Sequence, residues 1–178
     1  MTERTTRMTT QVYRVYIKAE PRAIWEAITQ PEWNERWNEM PTEFELRPGG
    51  AMRTRPSPRM RAVGAEKGIP VPEVAMDGEV IESDPPRRLV YTWRLLMGEG
   101  TAEEGFTRIT WEIDEIEPGV TRVTVAHDLE GAPKVAALVT GEMEDQGGGG
   151  GWPEVLSGLK TLLETGQPLR IYDEEEPT

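Results

Sequence analysis

Alternating apolar and polar residues predict a chain built mostly of β-strands. From Gln11 the residues QVYRVYIK alternate strictly and are rich in β-branched and aromatic side chains, as is typical of a strand. One face of this strand is expected to be buried and holds Tyr13, Val15 and Ile17. The same pattern, interrupted by turn residues, predicts further strands over 43–47, 51–55, 75–82, 88–96, 106–116 and 120–129.

Helical spacing replaces the alternation in three places. PRAIWEAIT (21–29) and PEWNERWN (31–38) predict two short helices, each beginning with a proline that the first turn of a helix tolerates. Trp33 and Trp37, four residues apart, are expected on one face. A long helix is predicted after Gly151, because an apolar stripe recurs every three or four residues at Trp152, Val155, Leu156, Leu159, Leu162 and Leu163.

Two segments are predicted to lack regular structure. Residues 56–72 hold four prolines and are expected to form a long loop, a kind of segment that is usually functional or disordered. Gly147 to Gly151 are five consecutive glycines, which predict a flexible joint before the last helix. Gly158 lies inside that helix, where glycine costs about 1 kcal/mol relative to alanine. Close approach of a strand or a ligand would explain why glycine occupies this position.

The order of these elements predicts an α+β domain. One strand, two short helices, about six further strands and one long helix favour an antiparallel sheet packed against the last helix. We expect a disordered N-terminus (1–9), one domain (10–168) and an acidic tail (169–178). A sheet that curls around the helix would leave a gap, which is a common place for a ligand.

Charge and composition exclude several functions. The net charge of −12 argues against nucleic acid and anionic membranes as partners, because both attract Lys and Arg. Cysteine is absent, so disulfides, thiolate metal sites and thiol catalysis are excluded. With a single histidine as well, zinc is not expected, and no cofactor is predicted. The N-terminal residues lack the apolar segment of a signal peptide, which is compatible with a cytoplasmic protein.

Three stretches together resemble a known superfamily. They are IKAEPRAIWEAITQPEW near the start, GEVIESDPPRRLVYTW in the middle and GWPEVLSGLKTLLETG at the end. The chain is similar over residues 10–166 to the START-like, or Bet v 1-like, superfamily. Within it, the chain most resembles bacterial proteins of the Hsp90-ATPase-activator-homologue-1-like group. The middle stretch, with its Asp-Pro-Pro turn and its aromatic strand ending in Trp93, is the most specific.

This resemblance implies a helix-grip fold, in which seven antiparallel strands curve around the C-terminal helix and enclose an apolar cavity. Members of the superfamily include lipid and hormone carriers, aromatase or cyclase domains and co-chaperone domains. They share no universal catalytic residues, so none is transferred to this chain. The 56–72 loop and the 147–151 glycine run depart from the family pattern, and both are expected beside the mouth of the cavity.

Aromatic residues are the first candidates for the cavity wall. Tryptophan is unusually frequent, with six residues, and each buries a large apolar area. The alternative is that these side chains fill the core, which we favour for Trp25, Trp93 and Trp111. The full set of cavity candidates is Trp33, Trp37, Tyr91, Trp93, Trp111, His127, Trp152, Leu156 and Leu159.

The polar residues have less support as functional residues than the aromatic ones. His127 shares a face with Val123, Val125 and Leu129, so it is expected to point inward. It is a weak candidate for a catalytic acid or base, because the sequence shows no partner residue for it. We favour the interpretation that it is a hydrogen-bonded histidine of the core. The basic group Arg53, Arg55, Arg59 and Arg61 is more typical of a solvated hairpin edge than of a site for acidic partners. Glu112 and Asp114 are expected to face solvent.

Three functional hypotheses follow. The first is a non-enzymatic domain that binds a small hydrophobic molecule, and it requires a cavity above about 300 Å³. The second is a co-chaperone-like or other protein-interaction module. The third is a cyclase or hydrolase acting on an aromatic or polyketide-like substrate, with His127 as acid or base. The sequence leaves both a monomer and a homodimer open.

Overall fold

The computed structural model describes residues 9–170 and confirms the predicted α+β architecture. Seven antiparallel strands form one sheet in the order β1-β7-β6-β5-β4-β3-β2. Their bounds are Thr10–Ile17 (β1), Thr42–Phe44 (β2), Ala51–Thr54 (β3), Met76–Asp84 (β4), Arg88–Leu95 (β5), Thr107–Glu117 (β6) and Val120–Asp128 (β7).

Five α-helices accompany the sheet within the described residues. Four of them begin with proline, whose missing N–H has no acceptor in a first helical turn anyway. Their bounds are Pro21–Thr29 (α1), Pro31–Asn38 (α2), Pro58–Lys67 (α3), Pro133–Val139 (α4) and Gly151–Thr165 (α5).

The predicted termini fall largely outside residues 9–170. Of the N-terminal segment only Thr9 is described, and its carbonyl accepts a hydrogen bond from Leu129 N at 3.0 Å. Of the acidic tail, Leu169 and Arg170 are described, and Arg170 forms an ion pair with Glu154 at 3.3 Å. The notion that the N-terminal segment and the acidic stretch Asp173 to Glu176 are disordered stays a prediction, because all but Thr9 of these residues lie outside the described part of the chain.

The first strand divides its side chains as the alternation predicts. Ile17 is fully buried, and Tyr13 and Val15 pack against the same core. On the other face Val12 and Tyr16 are 49% and 52% exposed. Residues Thr10 to Ile17 pair antiparallel with β7, which places β1 at one edge of the sheet.

Residues 56–72 are not a continuous loop, because they contain the helix α3. The Ser57 hydroxyl accepts from Met60 N at 3.1 Å and caps its first turn, and Gly68 ends it in the left-handed conformation at φ 66°. The helix lacks an apolar stripe, since Met60 and Val63 are both exposed, so helical spacing gave no signal.

Helix α5 packs its apolar stripe into the main core, with Leu156, Leu159 and Leu162 buried. Gly158 is also buried, and a Cβ atom at this position would lie 2.9 Å from the Trp37 carbonyl oxygen of α2. The close approach that explains this glycine is therefore a helix, rather than the strand or ligand considered above.

We predict that Gly158→Ala destabilises the protein even though alanine favours helices. The new methyl group would press on backbone of α2, and overpacking of this kind typically costs about 1–3 kcal/mol. Chemical denaturation would measure the change in the free energy of unfolding. Ser157→Ala, on the exposed side of α5, is the control and should change it by less than about 0.5 kcal/mol. Equal stability of both variants would contradict the close-approach explanation.

Candidate functional site

A cavity of about 600 Å³ lies between the inner face of the sheet and helices α2 and α5. The walls come from β2 to β6 on the sheet side, and from α2, the glycine run and the first turn of α5 on the other side, with further contributions from α3 and the end of α4. This volume is within the range of small-molecule sites and above the limit of about 300 Å³ set by the first hypothesis.

Large aromatic side chains form much of the wall. Tyr91 and Trp93 project from the same face of β5, and Trp111 projects from the neighbouring β6. Trp152, on α5, meets Trp111 edge to face, with ring centres 5.5 Å apart. Trp37, on α2, completes the set, and its indole nitrogen donates to Ala27 O at 2.8 Å. These contacts fix the rings, so the wall is preorganised.

Methionines make up a second apolar group in the lining. Their side chains are unbranched, flexible and polarisable, and they adapt to ligands of different shape. Because they are scattered along the chain, no spacing brought them together in the sequence. They are Met40, Met52, Met60, Met76 and Met97.

Most polar groups of the lining are already paired with protein. Asn34 is buried; its amide nitrogen donates to Thr42 O at 3.0 Å, and its amide oxygen accepts from Thr42 N at 2.9 Å. The hydroxyls of Thr42 and Thr54 bond to each other at 2.8 Å. Burial raises the pKa of Glu39, with a smaller opposing effect from Arg59.

The glycine run lines the cavity along its whole length. Gly151 begins α5 at φ 66°, and a Cβ atom there would lie 2.2 Å from the Val139 carbonyl oxygen. The Gly150 N–H donates to the Glu154 carboxylate at 3.0 Å. The glycine run that was predicted to be a flexible joint is therefore closely packed at Gly151, where the lack of a side chain lets the start of α5 pass close to the backbone of Val139.

His127 lies in the core behind the cavity wall and is fully buried. Its Nδ1 accepts from Trp152 Nε1 at 3.0 Å, and its Nε2 bonds to the Thr107 hydroxyl at 2.7 Å. Indole nitrogen only donates, so the neutral ring carries its proton on Nε2 and donates to Thr107. That hydroxyl in turn donates to Trp93 O at 3.1 Å. Every polar atom in this chain of bonds is satisfied.

Burial lowers the pKa of His127 to about 4, and the Asp128 carboxylate opposes this only weakly. Protonation would also place a second N–H opposite the Trp152 N–H, which would break their bond. The ring is therefore neutral at ordinary pH and already uses both of its nitrogens.

The structure brings together five of the nine predicted cavity residues: Trp37, Tyr91, Trp93, Trp111 and Trp152. Trp33 lies outside the lining, with Arg36 stacked over its ring at 4.9 Å. His127, Leu156 and Leu159 lie outside it because they fill the adjacent core. Trp25 is in the core as expected, whereas Trp93 and Trp111 serve both core and wall. A role in ligand binding stays a prediction for all of them.

The charged candidates are not part of the cavity lining, although Arg59 lies near enough to Glu39 to affect its pKa. Arg53, Arg55, Arg59 and Arg61 are exposed, and Arg55 approaches Glu43 at 3.9 Å. Glu112 pairs with Arg88, and Asp114 lies 3.5 Å from Arg122. Within residues 9–170, no three histidine or acidic side chains cluster as a metal site would require.

The family is decided by a match over most of the chain. Residues 18–164 match the family model described as activator of Hsp90 ATPase homolog 1-like protein. The chain belongs to this family. No curated protein matches the chain. In residues 9–170, no helix has the length and apolar character needed to cross a membrane.

Solved structures of low sequence identity share the fold of this family member. Protein MLL2253 from Mesorhizobium loti is 21% identical with a TM-score of 0.60, covering 86% of this chain and 96% of its own. The Aha1 dimer from Colwellia psychrerythraea is 20% identical with a TM-score of 0.59, covering 89% and 98%. CalU16 from Micromonospora echinospora is 19% identical with a TM-score of 0.60, covering 95% and 76%.

We predict that His127 makes the stability of this family member sensitive to mild acid. An unfolded histidine takes up its proton near pH 6.5, but the folded one does so only near pH 4. Between these values the unfolded state binds more protons, so the free energy of unfolding falls as the pH falls, by up to about 3 kcal/mol.

Denaturation curves at several pH values would measure this loss, with His127→Gln as the reference. Glutamine cannot titrate, so the advantage of the wild type over this variant should shrink between pH 6.5 and 4. Parallel pH profiles for the two proteins would contradict the prediction.

Proposed function

We propose that this chain binds a small, mainly apolar molecule in the aromatic cavity and acts as a carrier or sensor of it rather than as an enzyme. The observation that carries the proposal is the cavity of about 600 Å³ lined by four tryptophans, a tyrosine and five methionines. An apolar guest would restore contacts that these side chains lack in an empty cavity. The fixed aromatic rings would reduce the ordering cost of binding, and the methionines would adapt to its shape.

The proposal gives His127 no chemical role. A base must reach the proton that it removes, and both ring nitrogens of His127 are engaged in the core. Among residues 9–170, the lining has two carboxylates, Glu39 and Glu154, but Glu154 already accepts from Gly150 N and pairs with Arg170. Support for the cyclase or hydrolase hypothesis is correspondingly thin.

A co-chaperone-like role is the second candidate. Family membership favours it, and so does the apolar surface of the α3 segment, where Met60, Val63 and Ile69 are 37%, 39% and 57% exposed. The Colwellia relative is a dimer, which favours a homodimer here as well. This candidate predicts binding to an Hsp90 chaperone and a change in its ATPase rate, and a pull-down and an ATPase assay that are both negative would exclude it.

Filling the cavity should weaken ligand binding. Val155 lines it from α5, so Val155→Trp would occupy part of the space that a ligand needs. We predict saturable binding of the uncharged fluorescent probe N-phenyl-1-naphthylamine to the wild type. The variant should bind about tenfold more weakly, equivalent to about 1.4 kcal/mol. Fluorescence titration would give both values of Kd.

The matched control is Val12→Trp, which adds the same side chain at an exposed position of β1 outside the cavity. Its Kd for the probe should lie within about twofold of the wild-type value, which corresponds to a difference in binding free energy of under about 1 kcal/mol. A folded wild type that shows no saturable binding, or equal weakening by both variants, would contradict the proposed site.

A further inference from the structure

Building on the proposed function, we infer that the cavity selects an uncharged molecule that presents a hydrogen-bond acceptor, such as a carbonyl oxygen, to the Tyr91 hydroxyl, and that it excludes anionic amphiphiles. Within residues 9–170, two lining residues, Tyr91 and Trp93, carry donors without acceptors, and the charged side chains of the lining are carboxylates.

Tyr91 supplies the donor. Its side chain is 6% exposed and lines the cavity, and its hydroxyl oxygen accepts from Trp111 Nε1 at 3.0 Å. Because the indole N–H can only donate, the Tyr91 O–H keeps its own hydrogen for another acceptor. Among residues 9–170, no group accepts that hydrogen. Burial raises the pKa of the phenol, so it remains a neutral donor.

Trp93 strengthens the case for an acceptor on the ligand. It follows Tyr91 by two residues on β5 and therefore shares its inward face. Its ring contacts His127 edge to face at 5.5 Å, but its indole N–H has no acceptor within the described part of the chain. Two neighbouring donors without acceptors favour a guest that carries oxygen.

The charged groups of the lining determine which ligands are excluded. Among residues 9–170, no Lys, Arg or His side chain lines the cavity, and the two charged members of the lining are the carboxylates Glu39 and Glu154, which already interact with Arg59 and Arg170 respectively. An anionic head group would lose its water and would have to compete with these carboxylates for the neighbouring arginines, which is costly in an apolar site. The positive end of α5 does not offset this, because its first turn already contains Glu154, which accepts from Gly150 N.

A matched series of naphthalenes would test the ligand class. 2-Acetylnaphthalene has a carbonyl acceptor, 2-ethylnaphthalene has a similar shape without one, 2-naphthoate is an anion, and 2-naphthylmethylammonium is a cation. Calorimetric or fluorescence titration at pH 8 should rank the acetyl compound first. We expect about fivefold to tenfold weaker binding of the ethyl compound and the weakest binding of the naphthoate.

Tyr91→Phe should remove the acetyl preference, so that the two neutral probes bind with similar Kd. The ethyl probe reports whether the variant cavity is intact, and Tyr16→Phe, at an exposed tyrosine of β1, is the control that should keep the preference. If Tyr91→Phe does not fold, the ranking of the four probes by the wild type remains decisive.

The outcomes separate this inference from the proposed function. Binding of none of the four probes would overturn both. Three other results would overturn the ligand class but leave the cavity as a binding site. The first is equal binding of the acetyl and ethyl probes, and the second is tightest binding of the naphthoate or the ammonium compound. The third is a preference for the acetyl probe that survives in Tyr91→Phe.

Discussion

The hydrogen bond from Trp152 to His127 joins the long helix to β7, the strand beside the edge strand β1. Through Thr107 it continues to the Trp93 carbonyl, so that α5, β7, β6 and β5 share one buried polar chain. Leaving any member of such a buried chain without its partner is costly, which allows few positions for the start of α5. The same contact brings Trp152 against Trp111 and completes the aromatic wall.

The position of α5 is fixed from its other sides by backbone contacts. Gly151 passes close to the Val139 carbonyl, and Gly158 lies against the Trp37 carbonyl. With the helix held in this way, the side chains between sheet and helix do not close the remaining space, and a cavity of about 600 Å³ is left. Stability and proposed binding therefore depend on the same few contacts.

Strand alternation and helical stripes were sufficient to predict the sheet, α1, α2 and α5, because these elements bury one clear face. They failed for α3, whose apolar residues are exposed and which is defined by the Ser57 cap. The same patterns could not distinguish residues of the cavity wall from residues of the core. Leu159 and Trp152 belong to one apolar stripe, yet of these two only Trp152 reaches the cavity. The methionine lining depends on contacts between distant segments, which local patterns do not encode.

The central claim is that the cavity receives a ligand, and methionine-methyl NMR tests it most directly. The protein would be labelled at its methionine methyl groups and titrated with 2-acetylnaphthalene. We predict saturable shifts of the signals of the five lining methionines: Met40, Met52, Met60, Met76 and Met97. Binding of the probe that leaves all five signals unmoved would contradict the claim, because the ligand would then occupy another part of the molecule.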